Sequence, residues 1–228
     1  MRYKAFLFIA CMLCAAVSVA QTVVNDVGLR LSLSIEKKLN DRFAAEVKVL
    51  TRQVENFTLL NRVYIRAGLS AKLNRSFKTE ARFYYMPTRK GYKAMNDNFR
   101  YALSITYKAK LTRRLTFYDR ITYQTTTNYL MDSPETDEKT SGVIRDRFTL
   151  AFKQNRRGEP YISEELLFQV AGKKERYFGR NRVYLGYKYQ LTDKLKLNAY
   201  FIWERGFNDN DGPQEQNFYY GFNLGYSF

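Results

Sequence analysis

Phe218-Tyr219-Tyr220-Gly221-Phe222-Asn223-Leu224-Gly225-Tyr226-Ser227-Phe228 closes the chain. Its even-numbered positions are large and apolar, whereas Tyr219, Gly221, Asn223, Gly225 and Ser227 lie between them. Successive side chains on a strand point to opposite faces, so this stretch reads as a transmembrane β-strand with one face to lipid and the other to a polar lumen. Period-two alternation of the same kind recurs upstream in Leu29, Leu31, Leu33 and Ile35 against Arg30, Ser32, Ser34 and Glu36, and in Phe99, Tyr101, Leu103, Ile105 and Tyr107 against Arg100, Ala102, Ser104, Thr106 and Lys108.

Altogether eleven segments alternate: 28 to 38, 43 to 53, 59 to 72, 77 to 86, 99 to 110, 115 to 127, 143 to 153, 161 to 170, 181 to 190, 195 to 205 and 218 to 228. Most reach the roughly 9 to 11 residues that a tilted strand needs to cross a bilayer. Short turns at Asn40-Asp41-Arg42, Asn74-Arg75, Thr112-Arg113-Arg114 and Thr192-Asp193-Lys194 interleave with longer polar loops around 87 to 98, 128 to 142, 171 to 180 and 206 to 217. Outer-membrane barrels have this asymmetry, with turns in the periplasm and loops outside. Two connections depart from it: Val54 to Phe57 is short for a loop, and Gln154 to Glu159 is long for a turn. Parity also conflicts with an odd total, because bacterial barrels of this kind have even strand numbers. The expected fold is therefore an all-β, closed antiparallel transmembrane β-barrel of ten to twelve strands over residues 21 to 228.

The N-terminal end agrees with export. Arg2 and Lys4 precede the apolar stretch Ala5 to Ala16, and Ser18-Val19-Ala20 is a small-residue cleavage site, so residues 1 to 20 read as a signal peptide. Both cysteines, Cys11 and Cys14, leave with it, and the chain has no histidine. Neither a disulfide framework nor thiolate chemistry is then available, and no cofactor is called for. The formal charge of +16 would suit a nucleic-acid binder, but export and the spread of the basic residues along the strands argue against that partner. Outer-membrane lipids, lipopolysaccharide and acidic solutes are the partners this location offers, together with the barrel-assembly machinery during biogenesis. Tyr226 and Phe228 form the expected assembly signal, a terminal aromatic of the kind that this machinery recognises. The mean hydropathy of -0.48 is compatible with a membrane barrel, because alternating strands keep the average low.

Placing the apolar face outward assigns Arg30, Arg62, Arg66, Glu80, Arg82, Arg100, Arg145, Arg147, Arg182 and Glu204 to the lumen, along with Glu46, Lys48, Tyr64, Lys78, Arg120, Glu165 and Lys188. Charges in a narrow interior must be paired or hydrated, so one expectation is a filling network of salt bridges and tyrosines. The other is a basic conduit, because cations outnumber carboxylates on this face. Asp119, Asp146 and Glu164 have the parity of the lipid face. Three carboxylates could hold a divalent cation or perform acid–base work; the simpler expectation is a β-bulge that flips local register, or a place at the membrane interface. Aromatics near strand ends, among them Tyr84, Tyr85, Tyr123 and Trp203, suit interfacial girdles.

With these residues in view, the chain resembles small outer-membrane barrels of the Bacteroidetes type. It is similar to the family called domain of unknown function 2490, through Leu33-Ser34-Ile35-Glu36-Lys37-Lys38-Leu39 after the signal peptide and through Arg-rich strands such as Arg145-Asp146-Arg147-Phe148. That resemblance implies a barrel and no assigned activity. The function expected is a non-enzymatic barrel, structural or a narrow anion-favouring pore with an Arg-rich lumen. Two alternatives compete: a lipid-modifying enzyme, restricted to a carboxylate mechanism by the absence of histidine, and a soluble periplasmic lipocalin-like barrel with the two faces reversed.

Overall fold

The structure, a computed structural model, describes residues 23–89, 95–128, 139–171, 177–207 and 214–228. The segment read from the sequence as a signal peptide, residues 1 to 20, lies outside them. Eleven strands follow one another: β1 (Val23–Lys38), β2 (Phe43–Val54), β3 (Leu59–Lys72), β4 (Phe77–Tyr85), β5 (Asn98–Lys110), β6 (Leu115–Asn128), β7 (Lys139–Phe152), β8 (Gly158–Ala171), β9 (Tyr177–Gln190), β10 (Leu195–Gly206) and β11 (Gln214–Ser227). Each pairs with its sequence neighbours, and β1 closes the ring on β11. Several strands begin a few residues before their alternation does, as β1 does at Val23-Val24-Asn25-Asp26 and β11 at Gln214-Glu215-Gln216-Asn217. Ladder pairing continues there although the apolar face has ended.

The odd total is genuine, and it has one geometric consequence. Strand direction cannot alternate all the way round a ring of eleven, so one neighbouring pair must be parallel. That pair is β1 with β11, in unbroken register from Val23 opposite Gln214 to Glu36 opposite Ser227. The barrel is thus antiparallel at every joint except this seam. Ser32 Oγ donates to Asn223 Oδ1 across it at 2.8 Å, and the final residue is tied in as well: Phe228 N donates to Glu36 O at 3.1 Å and Lys38 N to Phe228 O at 3.2 Å.

Leucine, isoleucine, valine and aromatic side chains cover the outside, with Leu33 and Leu103 each 63% exposed. A soluble barrel with reversed faces would hide these residues. The turn end is built five times from one device. Asn40, Asn74, Thr112, Asn155 and Thr192 each accept hydrogen bonds from the backbone N–H groups two and three residues on. Such Asx and Ser/Thr turns substitute a side-chain oxygen for a backbone acceptor. The connection after β7, which looked long in the sequence, is the same turn as the other four. At the opposite end, the short β2–β3 connection reverses through three successive left-handed residues, Glu55, Asn56 and Phe57, with φ of 53°, 54° and 71°.

Inside, tyrosines fill the wall from β8 to β11. Tyr161, Tyr184, Tyr219 and Ile202 form a buried cluster with Ala151, and Tyr118 and Tyr200 pack against it. Glycine permits this layer: a Cβ at Gly221 would run into the Tyr200 ring, and one at Gly186 into the Tyr161 ring.

Candidate functional site

Three rows of cross-strand neighbours decide the chemistry of the lumen. The first runs Arg120, Arg147, Glu165, Arg182, Glu204, Asn217 and Asp26 through consecutive strands from β6 round to β1. From Arg147 to Glu204 opposite charges stand directly opposite one another, the favourable arrangement for a cross-strand pair. Glu165, 1% exposed, receives Arg145 Nη2 at 2.6 Å, Arg182 Nη1 at 3.1 Å and the Tyr184 hydroxyl at 3.0 Å. Glu204, fully buried, is bound by Arg182 and by Arg180 at 3.0 Å, with Arg30 Nη2 at 3.9 Å. Each carboxylate is thus enclosed by guanidinium groups, as a buried charge requires.

The other two rows contain no carboxylate. Arg30, Arg52 and Arg62 face one another directly across β1, β2 and β3. Lys48, Arg66, Tyr84, Arg100 and Thr126 continue across β2 to β6. Arg66 reaches sideways to Glu46. Among the described residues, Lys48, Arg52, Arg62 and Arg100 make no ion pair. Aromatic and hydroxyl groups take the place of acids. Arg52 donates to the Tyr219 hydroxyl and stacks 4.6 Å from its ring centre, while Arg30 lies 4.1 Å from the same ring. Arg62 donates to the Tyr64 hydroxyl at 3.1 Å, and Arg100 Nε to Thr126 Oγ1 at 2.9 Å. The Nε–H groups of Arg52 and Arg62 are buried and donate to no protein atom.

These rows surround a cavity of about 850 Å³ at the long-loop end of the barrel. Nine cationic residues line it, Lys48 and eight arginines, against two carboxylates, Asp26 and Glu55. Tyr184 from the tyrosine layer also lines it. Of the ten lumen residues expected from the sequence, Arg30, Arg62, Arg66, Arg100, Arg145 and Arg182 line this cavity. Glu204 sits behind it, holding Arg182 and Arg30. Glu80 and Arg82 form a separate group with Lys78, at 3.3 Å and 2.9 Å from Glu80 respectively. Arg147 lies 4.0 Å from the Tyr184 ring centre and donates to Ser163 Oγ at 3.2 Å.

Two cavity-lining cations escaped the sequence reading. Arg52 has the parity of Glu46 and Lys48, but apolar Leu50 on the same face obscured the alternation. Arg180 has the parity of Arg182 but lies one residue before the segment recognised for β9, at the edge of the irregularity where Leu167 opposes Arg180 and Phe168 opposes Phe178. Tyr84 corrects the girdle expectation: it points into the lumen, within 6.0 Å of Arg66 and 5.9 Å of Arg100.

The three carboxylates of lipid-face parity are corrected too. Register shifts occur at Arg52/Gln53, Gly142/Val143 and Leu167/Phe168, none of them beside Asp119, Asp146 or Glu164. No bulge turns these side chains inward. They form a diagonal line on the outer wall, continued by Asn181, whose Nδ2 donates to Glu164 Oε1 at 3.1 Å. Among the described residues no three such groups are placed to hold a metal ion.

Tyr226 and Phe228 lie on the outer face at the turn end, 40% and 53% exposed, with ring centres 5.9 Å apart. The Lys37 ammonium lies 5.6 Å from the Phe228 ring centre.

Residues 28–216 match the model of the family described as protein of unknown function (DUF2490), and the chain belongs to this family. No curated protein matches the sequence. Among solved structures, one titled "NanC porin structure in rhombohedral crystal form" is similar, with a TM-score of 0.50 and 12% identity, covering 78% of this chain and 85% of that one. At that identity the likeness is one of fold: the chain is a porin-like β-barrel.

Proposed function

We propose that this DUF2490 barrel resides in the bacterial outer membrane and acts, without enzymatic chemistry, as a narrow anion-favouring pore. The observation that carries the reading is the charge around the cavity, nine cationic residues against two carboxylates. A one-signed cleft with low-dielectric walls concentrates counter-ions and excludes co-ions. The tyrosine layer limits flow, since barrels of this size fill their interior largely with side chains. Against an enzyme stand the lack of histidine and the position of Asp119, Asp146 and Glu164 on the outer wall, away from the cavity. Lipids and lipopolysaccharide are the surroundings of the outer apolar belt in this reading. Tyr226 and Phe228, displayed at the end of the closing strand, serve recognition by the assembly machinery.

Planar-bilayer recording of the purified protein under a potassium chloride gradient tests the reading. The expected result is low conductance with a reversal potential on the chloride side, the selectivity weakening as salt screens the lumen. Large, stable, cation-selective currents would refute it. Recovery of the protein outside the outer-membrane fraction, or without heat-modifiable gel mobility, would refute the location.

A further inference from the structure

The cavity's two sides differ in how their charges are answered, and the difference specifies a ligand. Around Glu165 and Glu204 the arginines are neutralised from within the chain. On the β2–β5 side Lys48, Arg52, Arg62 and Arg100 line one cavity and, among the described residues, make no ion pair, with Glu55 of the β2–β3 connection as the one lining carboxylate of that side. We propose that this side is a binding site for one multivalent oxyanion, a molecule carrying two or more phosphate or carboxylate groups. The proposal rests on the anion-favouring reading and gives it a ligand class.

Three observations support multivalency. Burying cations without counter-charge is costly, so a set with no ion pair calls for an anion from outside. Arg52 and Arg62 stand opposite one another on adjacent strands, about 4.8 Å apart at the backbone. Like charges so placed repel, and one anionic group between them converts that repulsion into a bidentate grip. The guanidinium groups of Arg52 and Arg62 are answered only by the Tyr219 and Tyr64 hydroxyls, so their charge is left for such a group.

Arg100 and Lys48 belong to the next row, separated from each other by Arg66 and Tyr84. A second anionic group on the same molecule can reach them while the first is held, and linking the two groups makes the second contact intramolecular. A volume of about 850 Å³ suits a small organic or inorganic polyanion and far exceeds the needs of chloride. Tyr64 stands between Arg62 and Arg66 on β3, and its hydroxyl accepts from Arg62, which holds that guanidinium within the cavity.

The test is calorimetric titration of the folded barrel in detergent with orthophosphate, pyrophosphate, inorganic triphosphate, acetate and tricarballylate, all in a fixed chloride background. Affinity should rise about ten-fold or more with each added phosphate, as linked groups require. Tricarballylate, with three carboxylates, should bind more tightly than acetate if oxyanion charge is what the arginines read. Arg62→Gln and Arg100→Gln should each weaken triphosphate binding about ten-fold or more while heat-modifiable gel mobility is retained. Arg62→Lys, which keeps the charge and loses the fork, should fall between wild type and Arg62→Gln. Equal affinity for the three phosphates, or undiminished triphosphate binding by both glutamine variants, would overturn the proposal. An anion-selective barrel with flat phosphate affinities would leave the pore reading standing and remove only the multivalent site. A cation-selective barrel would remove the reading beneath it.

Discussion

The lumen wall is two surfaces made from the same side chain. On β7 to β10, arginine is a structural residue: Arg145, Arg180 and Arg182 enclose Glu165 and Glu204, and the group would come apart if either acid were lost. On β2, β3 and β5, Arg52, Arg62 and Arg100 lean on tyrosine and threonine instead, and Arg52 faces Arg30 and Arg62 directly. The first surface stabilises the barrel through its charges, whereas the second holds charge in spite of stability. Arginine content alone therefore says little about function. What separates scaffold from site is whether an acid stands in the adjacent strand.

Replacing Glu204 with alanine should break the paired surface most severely. Arg182, Arg180 and Arg30 would be left around an empty carboxylate position, at a cost of about 3–5 kcal/mol by the measure of other buried pairs broken on one side. Urea unfolding followed by Trp203, the single tryptophan of the chain and the neighbour of Glu204, would read this as a large drop in midpoint. An unchanged midpoint would show that the two surfaces are not energetically distinct. The converse substitution supplies the missing acid. Tyr64→Glu places a carboxylate beside Arg62 and should abolish most anion selectivity in bilayer recordings, making the second surface resemble the first.

Removing a cation from the unpaired surface should have a smaller effect of opposite sign. Arg62→Gln and Arg100→Gln are expected to leave stability unchanged or raise it by up to ~1 kcal/mol, because the first relieves the opposition to Arg52 and neither orphans an acid. A loss comparable to that of Glu204→Ala would mean that the arginines bear structural load on both sides. The smallest effect expected is from salt. Raising ionic strength from about 0.1 M to about 1 M shortens the screening length from about 10 Å to about 3 Å. The wild-type unfolding midpoint should then rise slightly, and less so in the Arg62→Gln, Arg100→Gln double variant.

How much of this the sequence could disclose depends on range. Which face a residue occupies is a local property with period two, so Arg30, Arg100 and Glu204 could be given a face without knowledge of any neighbour, and eleven segments were visible as eleven strands. Where alternation fades into a loop, as before Asn181, the local signal ends and Arg180 is lost although it keeps the parity of Arg182. Pairing is wholly non-local. Arg30 approaches Glu204 only because β1 and β10 both flank β11, and nothing near Arg52 announces that it lacks an acid. The fold was thus largely legible, whereas the division of the cations into answered and unanswered sets exists only after the barrel has closed. Closure itself was misjudged for a related reason: an odd count looked like an error so long as every joint was assumed antiparallel.

That single parallel joint bears on how the barrel is made. An antiparallel neighbour can arrive by folding back through a turn, but β11 can meet β1 only by bringing together positions about 190 residues apart, as Ser32 and Asn223 are. Confining so long a loop costs about 5 kcal/mol of chain entropy on the simplest scaling. Until it is met, the growing sheet presents two rows of unpaired amides and carbonyls, each expensive inside lipid. The rate of assembly is then governed by one event late in the process, and amide hydrogen exchange should be faster along β1 and β11 than along β6 and β7. Strand β11 is in this sense a latch, and its strength sets the lifetime of the whole cylinder.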